Sequence, residues 1–216
     1  MKRIILIDDH PIVRLGIRTL LETREDFKVC AEASSRKEAL EVLLQDCPDL
    51  AVVDLVLGLD DGLEFIKELK VQCPDLKLLV MTMQDESVYA ERVIRAGADG
   101  FITKQDATNH MLEAVETVLK GHVYLTRAST ARVLGRLLKN EVPHGNESTV
   151  NRLSDRELHV FQMIGAGLRT QEIAEALGLS GKTIETYREN IKKKLDLPNA
   201  AALKNAALQW VQTGKI

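Results

Sequence analysis

Leu50-Ala51-Val52-Val53-Asp54-Leu55 is an apolar run of strand length with one carboxylate near its end. A strand that is apolar at every position, not at alternate ones, must be covered by helices on both faces, as strands of parallel sheets are. Outward from it, comparable runs recur at Arg3–Ile7, Phe27–Ala31, Leu76–Met81 and Gly100–Ile102. Between them the spacing turns helical over Ile12–Glu22, Arg36–Gln45, Gly62–Gln72, Val88–Ala96 and Asn109–Lys120. In the first of these, Ile12, Leu15, Ile17 and Leu20 supply the expected inward face. Ser34-Ser35, Asp61 and Asp106–Thr108 suit helix starts, and Gly97 and Gly121 suit helix ends. Strand–helix alternation of this kind predicts a doubly wound α/β domain with a five-stranded parallel sheet over residues 1–121.

The remainder reads differently. Residues 122–150 are expected to connect, with a short helix at Ser129–Leu138 and a linker-like stretch, Asn140–Val150, holding Pro143 and Gly145. Residues 151–216 carry no strand signal, and Asp155–Ala166, Thr170–Leu177, Gly181–Leu195 and Ala200–Gln212 predict an all-α, four-helix domain. Charge divides along the same line. The net of −3 conceals 15 basic against 23 acidic residues in 1–124, a net of −8, and 10 against 7 in 149–216, a net of +3. Two units with different partners are implied. No apolar stretch approaches the roughly 18–20 residues of a membrane span. Cys30, Cys47 and Cys73 are scattered and odd in number, so they are expected to be reduced thiols in a cytoplasmic protein, not a disulfide framework or zinc site.

Sites in doubly wound sheets lie at the carboxyl ends of strands. There the first strand ends in Asp8-Asp9, the third in Asp54, the fourth in Thr82 and the fifth in Lys104. Three carboxylates in one cleft become tolerable with a hard divalent cation, and oxygen-only ligands suit Mg2+. A hydroxyl from Thr82 and an ammonium from Lys104 are what a phosphoryl group on one carboxylate needs. Each residue alone has a plainer reading: Asp8-Asp9 could cap the helix opening at Pro11, and Lys104 could be solvated. His10 is expected at the rim, since no second imidazole has ligand spacing.

With Ile7-Asp8-Asp9-His10, Val53-Asp54-Leu55, Asp61-Gly62, Thr82 and Gly100-Phe101-Ile102-Thr103-Lys104 in order, residues 1–121 resemble the receiver domain of two-component response regulators. The resemblance implies the strand order 2-1-3-4-5 and a phosphoacceptor at Asp54, served by a sensor histidine kinase. It implies Mg2+ held by Asp8, Asp9, Asp54 and the Val56 carbonyl, and a switch pair formed by Thr82 and Phe101. Gly58 stands where the family commonly has proline, which predicts a more flexible loop after Asp54.

In the back unit, Ser154 and Glu157 have capping-box spacing. Two helices joined through Gly178-Leu179-Ser180 form a helix-turn-helix pattern, whose second helix enters the major groove. The Leu153-Ser154-x-Arg156-Glu157 opening, Glu172-Ile173-Ala174, Leu179-Ser180-x-Lys182-Thr183-Ile184 and Lys193-Lys194-Leu195 are similar to the LuxR-type helix-turn-helix of NarL/FixJ regulators. By that resemblance Gly181–Leu195 is the recognition helix, and Ala200–Gln212 pairs subunits into a homodimer on promoter DNA. Lys182, Arg188, Lys192, Lys193 and Lys194 are candidate phosphate contacts. Thr183, near the start of the same helix, is a further candidate DNA contact, and Glu185, Thr186 and Glu189 fall among groove-facing positions. Tyr187, Trp210 and the Ile184/Ile191/Leu195 stripe are expected to pack.

Three functions compete. A transcription factor switched by phosphorylation uses every feature, with RNA polymerase as a further partner. A Mg2+-dependent phosphohydrolase predicts a second carboxylate two residues after Asp54, where Val56 stands. A DNA binder with a vestigial receiver is disfavoured by the intact Asp8, Asp9, Asp54, Thr82 and Lys104. Receiver self-phosphorylation is stoichiometric, so the chain is not expected to be an enzyme.

Overall fold

A computed structural model of the chain describes residues 1–131, 133 and 149–214. The chain divides into two compact units, Met1–Asn140 and Glu141–Ile216. The expected Ser129–Leu138 helix from 134 onward, and the Asn140–Val150 linker up to 148, lie outside the described residues.

In the first unit β1 (Lys2–Ile7), β2 (Phe27–Ala33), β3 (Leu50–Val53), β4 (Lys77–Thr82) and β5 (Gly100–Thr103) alternate with α1 (Pro11–Leu21), α2 (Arg36–Gln45), α3 (Gly62–Gln72), α4 (Glu86–Ala96) and α5 (Lys104–Leu119). The strands are parallel in the order β2-β1-β3-β4-β5. This is the doubly wound sheet, and the order, anticipated above. The chain reverses direction across the sheet at β1 and β3, which opens a crevice at their carboxyl ends. Register levels those ends: Ile7 lies beside Val53, and Thr82 beside Thr103. Asp8, Asp54, Thr82 and Lys104 therefore emerge at one edge.

The apolar strands bury both faces. Leu6, Val52 and Met81 pack under Ile17 and Leu21 of α1 and Met111, Val115 and Val118 of α5. Alternation sends Ile7, Val53, Val80 and Phe101 to the opposite face, where Phe65, Ile66 and Leu69 of α3 are fully buried. Each such side chain contributes about 1.5–3 kcal/mol. The outer side of β5 is bridged at its start by Tyr124, whose carbonyl accepts from Phe101 N at 2.9 Å and whose N donates to Asp99 O at 3.1 Å.

Three expectations change. Ile12 and Leu15 are 79% and 60% exposed, while Val13, Ile17, Leu20 and Leu21 make the inward stripe. At about 100° per residue, Leu15 and Ile17 point to opposite sides, so the expected face merged two. Helix α5 begins at Lys104, before the expected Asn109, because Thr103 caps it and accepts from Asp106 N at 3.1 Å. Its first turn is polar and hides the helical period. Finally, Cys47 and Cys73 are disulfide-bonded, with Cα atoms 6.1 Å apart and a sequence separation of 26, against the expected reduced thiols. The fold juxtaposes the α2–β3 connection and the end of α3, which residue spacing cannot reveal. Cys30 stays free, its Sγ 3.4 Å from the Ile4 carbonyl.

The second unit holds a 3-10 turn at Thr149–Arg152, then α6 (Asp155–Gly165), α7 (Thr170–Leu177), α8 (Gly181–Lys194) and α9 (Ala200–Thr213). Phe161, Ile173, Ile184, Ile191, Leu203 and Trp210 close its core. Leu195 joins them, and Tyr187 is half-buried. Among the described residues no helix is long and apolar enough to cross a membrane.

Candidate functional site

Asp8 and Asp54 are buried where β1 and β3 end, at 2% and 3% exposure. Backbone bonds fix both: Asp8 N donates to Ala33 O at 3.1 Å and Asp54 N to Ile7 O at 2.8 Å. Two buried carboxylates side by side repel, and one ammonium answers them. Lys104 Nζ, the first residue of α5, lies 2.7 Å from Asp8 Oδ2 and 2.7 Å from Asp54 Oδ2. Burial pushes the Asp54 carboxyl above the usual carboxylate range, although Lys104 opposes the shift by hydrogen bond and charge. Burial works against the Lys104 charge, but its ion pairs with Asp54 and Asp8 hold it above the ordinary lysine value.

Asp54 Oδ1 accepts from Val56 N at 3.1 Å. Thr82, fully buried at the end of β4, helps to hold the Asp54 carboxyl down against the effect of burial, and its hydroxyl accepts from Gln84 N at 3.4 Å. Its partner in the expected switch, Phe101, is fully buried beside Val80 in the register. Strand alternation puts Thr82 and Phe101 on the same face of the sheet. Asp9 is partly exposed, and His10, exposed at the rim as expected, sets Nδ1 2.6 Å from Asp9 Oδ1 and 3.2 Å from Asp8 Oδ1. Neither aspartate caps α1, whose N-cap position is His10 with no side-chain cap.

The donor set fits a hard cation. One ligand atom each from Asp8, Asp9, His10 and Asp54 lies within 4.8 Å of the others. Asp8 Oδ2 is paired with Lys104 by charge but is a buried oxygen with no hydrogen-bond partner. Gly62 sets the approach of the loop after Asp54: a Cβ there would stand 2.2 Å from the Leu55 carbonyl. Gly58 takes φ +62°, a conformation closed to proline.

Sequence reading missed Arg14. Its Nη1 donates to the Asp8 carbonyl at 2.5 Å and its Nε to Glu32 at 2.9 Å, tying α1 and β2 to the aspartate. No local pattern marks it, since Glu32 is 18 residues away.

In the second unit, Ser154 and Glu157 form the expected capping box, and Ser180 caps α8 by accepting from Thr183 N at 3.1 Å. Lys182, Glu185, Thr186, Glu189 and Lys193 are exposed, spaced along one side of α8. Thr183 turns to Ser180, with the hydroxyls 2.8 Å apart. Arg188 leans back on α7, where Thr170 Oγ1 accepts from it at 3.4 Å and donates to Glu185 at 2.7 Å. Lys192 lies 2.8 Å from Glu189. Lys194 is engaged elsewhere, its Nζ 2.6 Å from buried Glu157.

A buried acidic pocket at a sheet switch point in one unit, and a helix-turn-helix in the other, define a two-component transcriptional response regulator. Residues 4–116 match the response regulator receiver domain and residues 151–207 the bacterial regulatory proteins of the luxR family. A Pseudomonas aeruginosa protein described as a transcriptional regulator is 36% identical over 204 residues, 94% of this chain and 95% of its own. The oxygen regulatory protein NreC of Staphylococcus haemolyticus is 32% identical, covering 96% of this chain and 97% of its own. RcsB of Salmonella enterica serovar Typhimurium, solved bound to promoter rprA with phosphomimetic BeF3-, is 28% identical with a TM-score of 0.74, covering 94% of this chain and 96% of that one. The chain belongs to the response regulators that join a receiver domain to a LuxR-type DNA-binding domain. Receiver domains hold Mg2+ at such an acidic pocket.

Proposed function

We propose that Asp54 accepts a phosphoryl group from a sensor histidine kinase in the cytoplasm, and that this drives homodimerisation and promoter binding. The observation that carries the reading is the convergence of Asp8, Asp54 and Lys104 from three strand ends, with both ion-pair distances at 2.7 Å. Asp8, Asp9, Asp54 and the Val56 carbonyl would hold Mg2+, which when bound offsets their negative charge and that of a phosphoryl group. Lys104 moves no proton. It is held charged by two carboxylates and neutralises a phosphoryl oxygen in place. The Thr82 hydroxyl donates to a phosphoryl oxygen, and its shift frees the space that Phe101 reports on, a local charge change biasing a bistable element.

Residues 122–150 connect the receiver, 1–121, to the DNA-binding domain, 151–216. Lys182, Lys192 and Lys193 contact phosphates, Thr183 lies at the start of the same helix, and Glu185, Thr186 and Glu189 face the groove. Arg188 braces α8 on α7 beside the backbone. Lys194 acts through its bond to Glu157, holding the end of α8. The exposed Leu208 and Val211 on α9 supply an apolar seam for a second copy. RNA polymerase is a further partner at the promoter.

The test incubates the chain and Asp54→Asn with Mg2+ and acetyl phosphate, following phosphate on the protein and binding to DNA fragments. The expected result is acid-labile phosphate on the natural chain only, with more dimer and tighter DNA binding. DNA binding indifferent to both treatments would refute the switch.

A further inference from the structure

Cys47 and Cys73 stand outside the acidic pocket, and the function proposed above makes no use of them. Cys47 is exposed in the connection from α2 to β3. Cys73 is the C-terminal cap residue of α3 and only 2% exposed. Their Cα atoms are 6.1 Å apart, within the span a disulfide bridges without backbone movement. A groove of about 310 Å³, lined by Lys2, Arg3, Asp49, Asp75 and Lys77, opens beside Cys47 and gives a small oxidant access to its sulfur. The reduced state is also accommodated, since the Leu43 carbonyl lies 3.7 Å from Cys47 Sγ and can accept from the thiol.

What the bond encloses matters more than the bond. The ring from Cys47 to Cys73 contains β3, Asp54, the loop with Gly58, and all of α3. Both ends of the segment that carries the buried carboxylate are therefore tied together at the opposite, amino-terminal edge of the sheet. Intracellular proteins rarely keep permanent disulfides, and those that form there are transient or redox-sensing. A DNA-binding regulator works in that setting.

We propose that Cys47 and Cys73 are a reversible thiol–disulfide modification site that clamps the Asp54-bearing segment when a hydroperoxide oxidises it. The Cys47 sulfur attacks one peroxide oxygen. The O–O bond breaks, the other peroxide oxygen leaves with the thiol proton as an alcohol (as water when the oxidant is hydrogen peroxide), and a sulfenic acid remains on Cys47. The Cys73 sulfur then attacks the Cys47 sulfur, the S–O bond breaks, and a water carries away the hydroxyl with the Cys73 proton. The two thiols lose two electrons and two hydrogens in all, and the peroxide gains them. A small-molecule thiol reverses the reaction by exchange at Cys47, the exposed sulfur.

The experiment treats the full-length chain, first reduced with dithiothreitol, with one equivalent of hydrogen peroxide. The expected product has lost two hydrogens by intact mass, yields a peptide linking Cys47 to Cys73, and reverts in dithiothreitol. Cys30→Ser reacts identically, and Cys47→Ser does not. The linked form melts about 5–10 °C above the reduced form, and amide exchange slows between residues 47 and 73. Cys73→Ser empties a buried position and can unfold the chain, so the exposed Cys47→Ser is the deciding variant. Added oxygen without a cross-link, a link through Cys30, or a disulfide between two chains would overturn the site. A linked form with unchanged melting and exchange would overturn the clamp. None of these readouts depends on phosphorylation of Asp54.

Discussion

Lys104 is one cation set against two carboxylates that bulk water barely reaches. Removing one partner of a buried ionic cluster costs far more than the cluster itself contributes, because the remaining charges stay buried and uncompensated. Lys104→Ala should therefore destabilise the metal-free first unit by about 3 kcal/mol at neutral pH. The sign with pH follows from Asp54. Its folded pKa is raised by burial from the ordinary 3.8, so the folded state binds the proton more tightly and stability falls as pH rises through that folded value. The variant, with no ammonium to oppose burial, should show this more strongly, recovering stability at mildly acidic pH and also on adding magnesium chloride. Urea unfolding at two pH values checks it, and equal losses at both would exclude the carboxylates as the cause. These residues were legible in sequence because each ends an apolar strand, a strictly local pattern. Arg14 was not, because its bonds to Asp8 and Glu32 depend on where α1 and β2 come to rest.

Helix α8 divides its cations between two tasks. Lys193 is exposed, on the side that also carries Lys182 and Glu189. Lys194 bonds Glu157, which closes the capping box of α6. Lys193→Ala should weaken DNA binding to a similar extent across sequences and reduce the salt slope by about one. A changed site preference would contradict a phosphate contact. Glu157→Ala should cost about 1–2 kcal/mol, since it removes half a capping box and the carboxylate partner of the part-exposed Lys194. Burial raises the Glu157 pKa, but its bonds to Lys194 and Ser154 prevail and hold it below the ordinary 4.5. Its contribution is thus complete above that value and lost as pH falls through the folded value, opposite in sign to Asp54. Thermal melts of the natural chain and Glu157→Gln on an acid series test this, and parallel curves would remove Glu157 as the titrating group. The capping box was readable from Ser154-x-x-Glu157, whereas the Lys194 bond spans 37 residues. Element errors had the same root: α1 offered apolar residues on two faces, and α5 opened with a polar turn.

Across the whole chain, the net of −3 is a cancellation of −8 in residues 1–124 and +3 in 149–216. An excess of three cations is small for DNA binding, in which each neutralised phosphate adds to both affinity and salt slope. One copy of the second unit should therefore hold DNA weakly at physiological salt, which makes pairing of two copies the natural gate. The acidic front adds negative charge to the same chain, and the DNA polyanion repels it. The second unit has its own closed core, so residues 149–216 can be compared directly with the intact, unphosphorylated chain. On DNA of arbitrary sequence at low salt the fragment should bind more tightly than the full chain. The difference should shrink as the screening length falls from about 30 Å at 0.01 M salt to about 8 Å at 0.15 M. Fluorescence anisotropy over that range measures both slopes. Should the full chain bind more tightly at the lowest salt, the front unit would have to contribute contacts or pairing that outweigh its charge, and phosphorylation would lose its role as the gate.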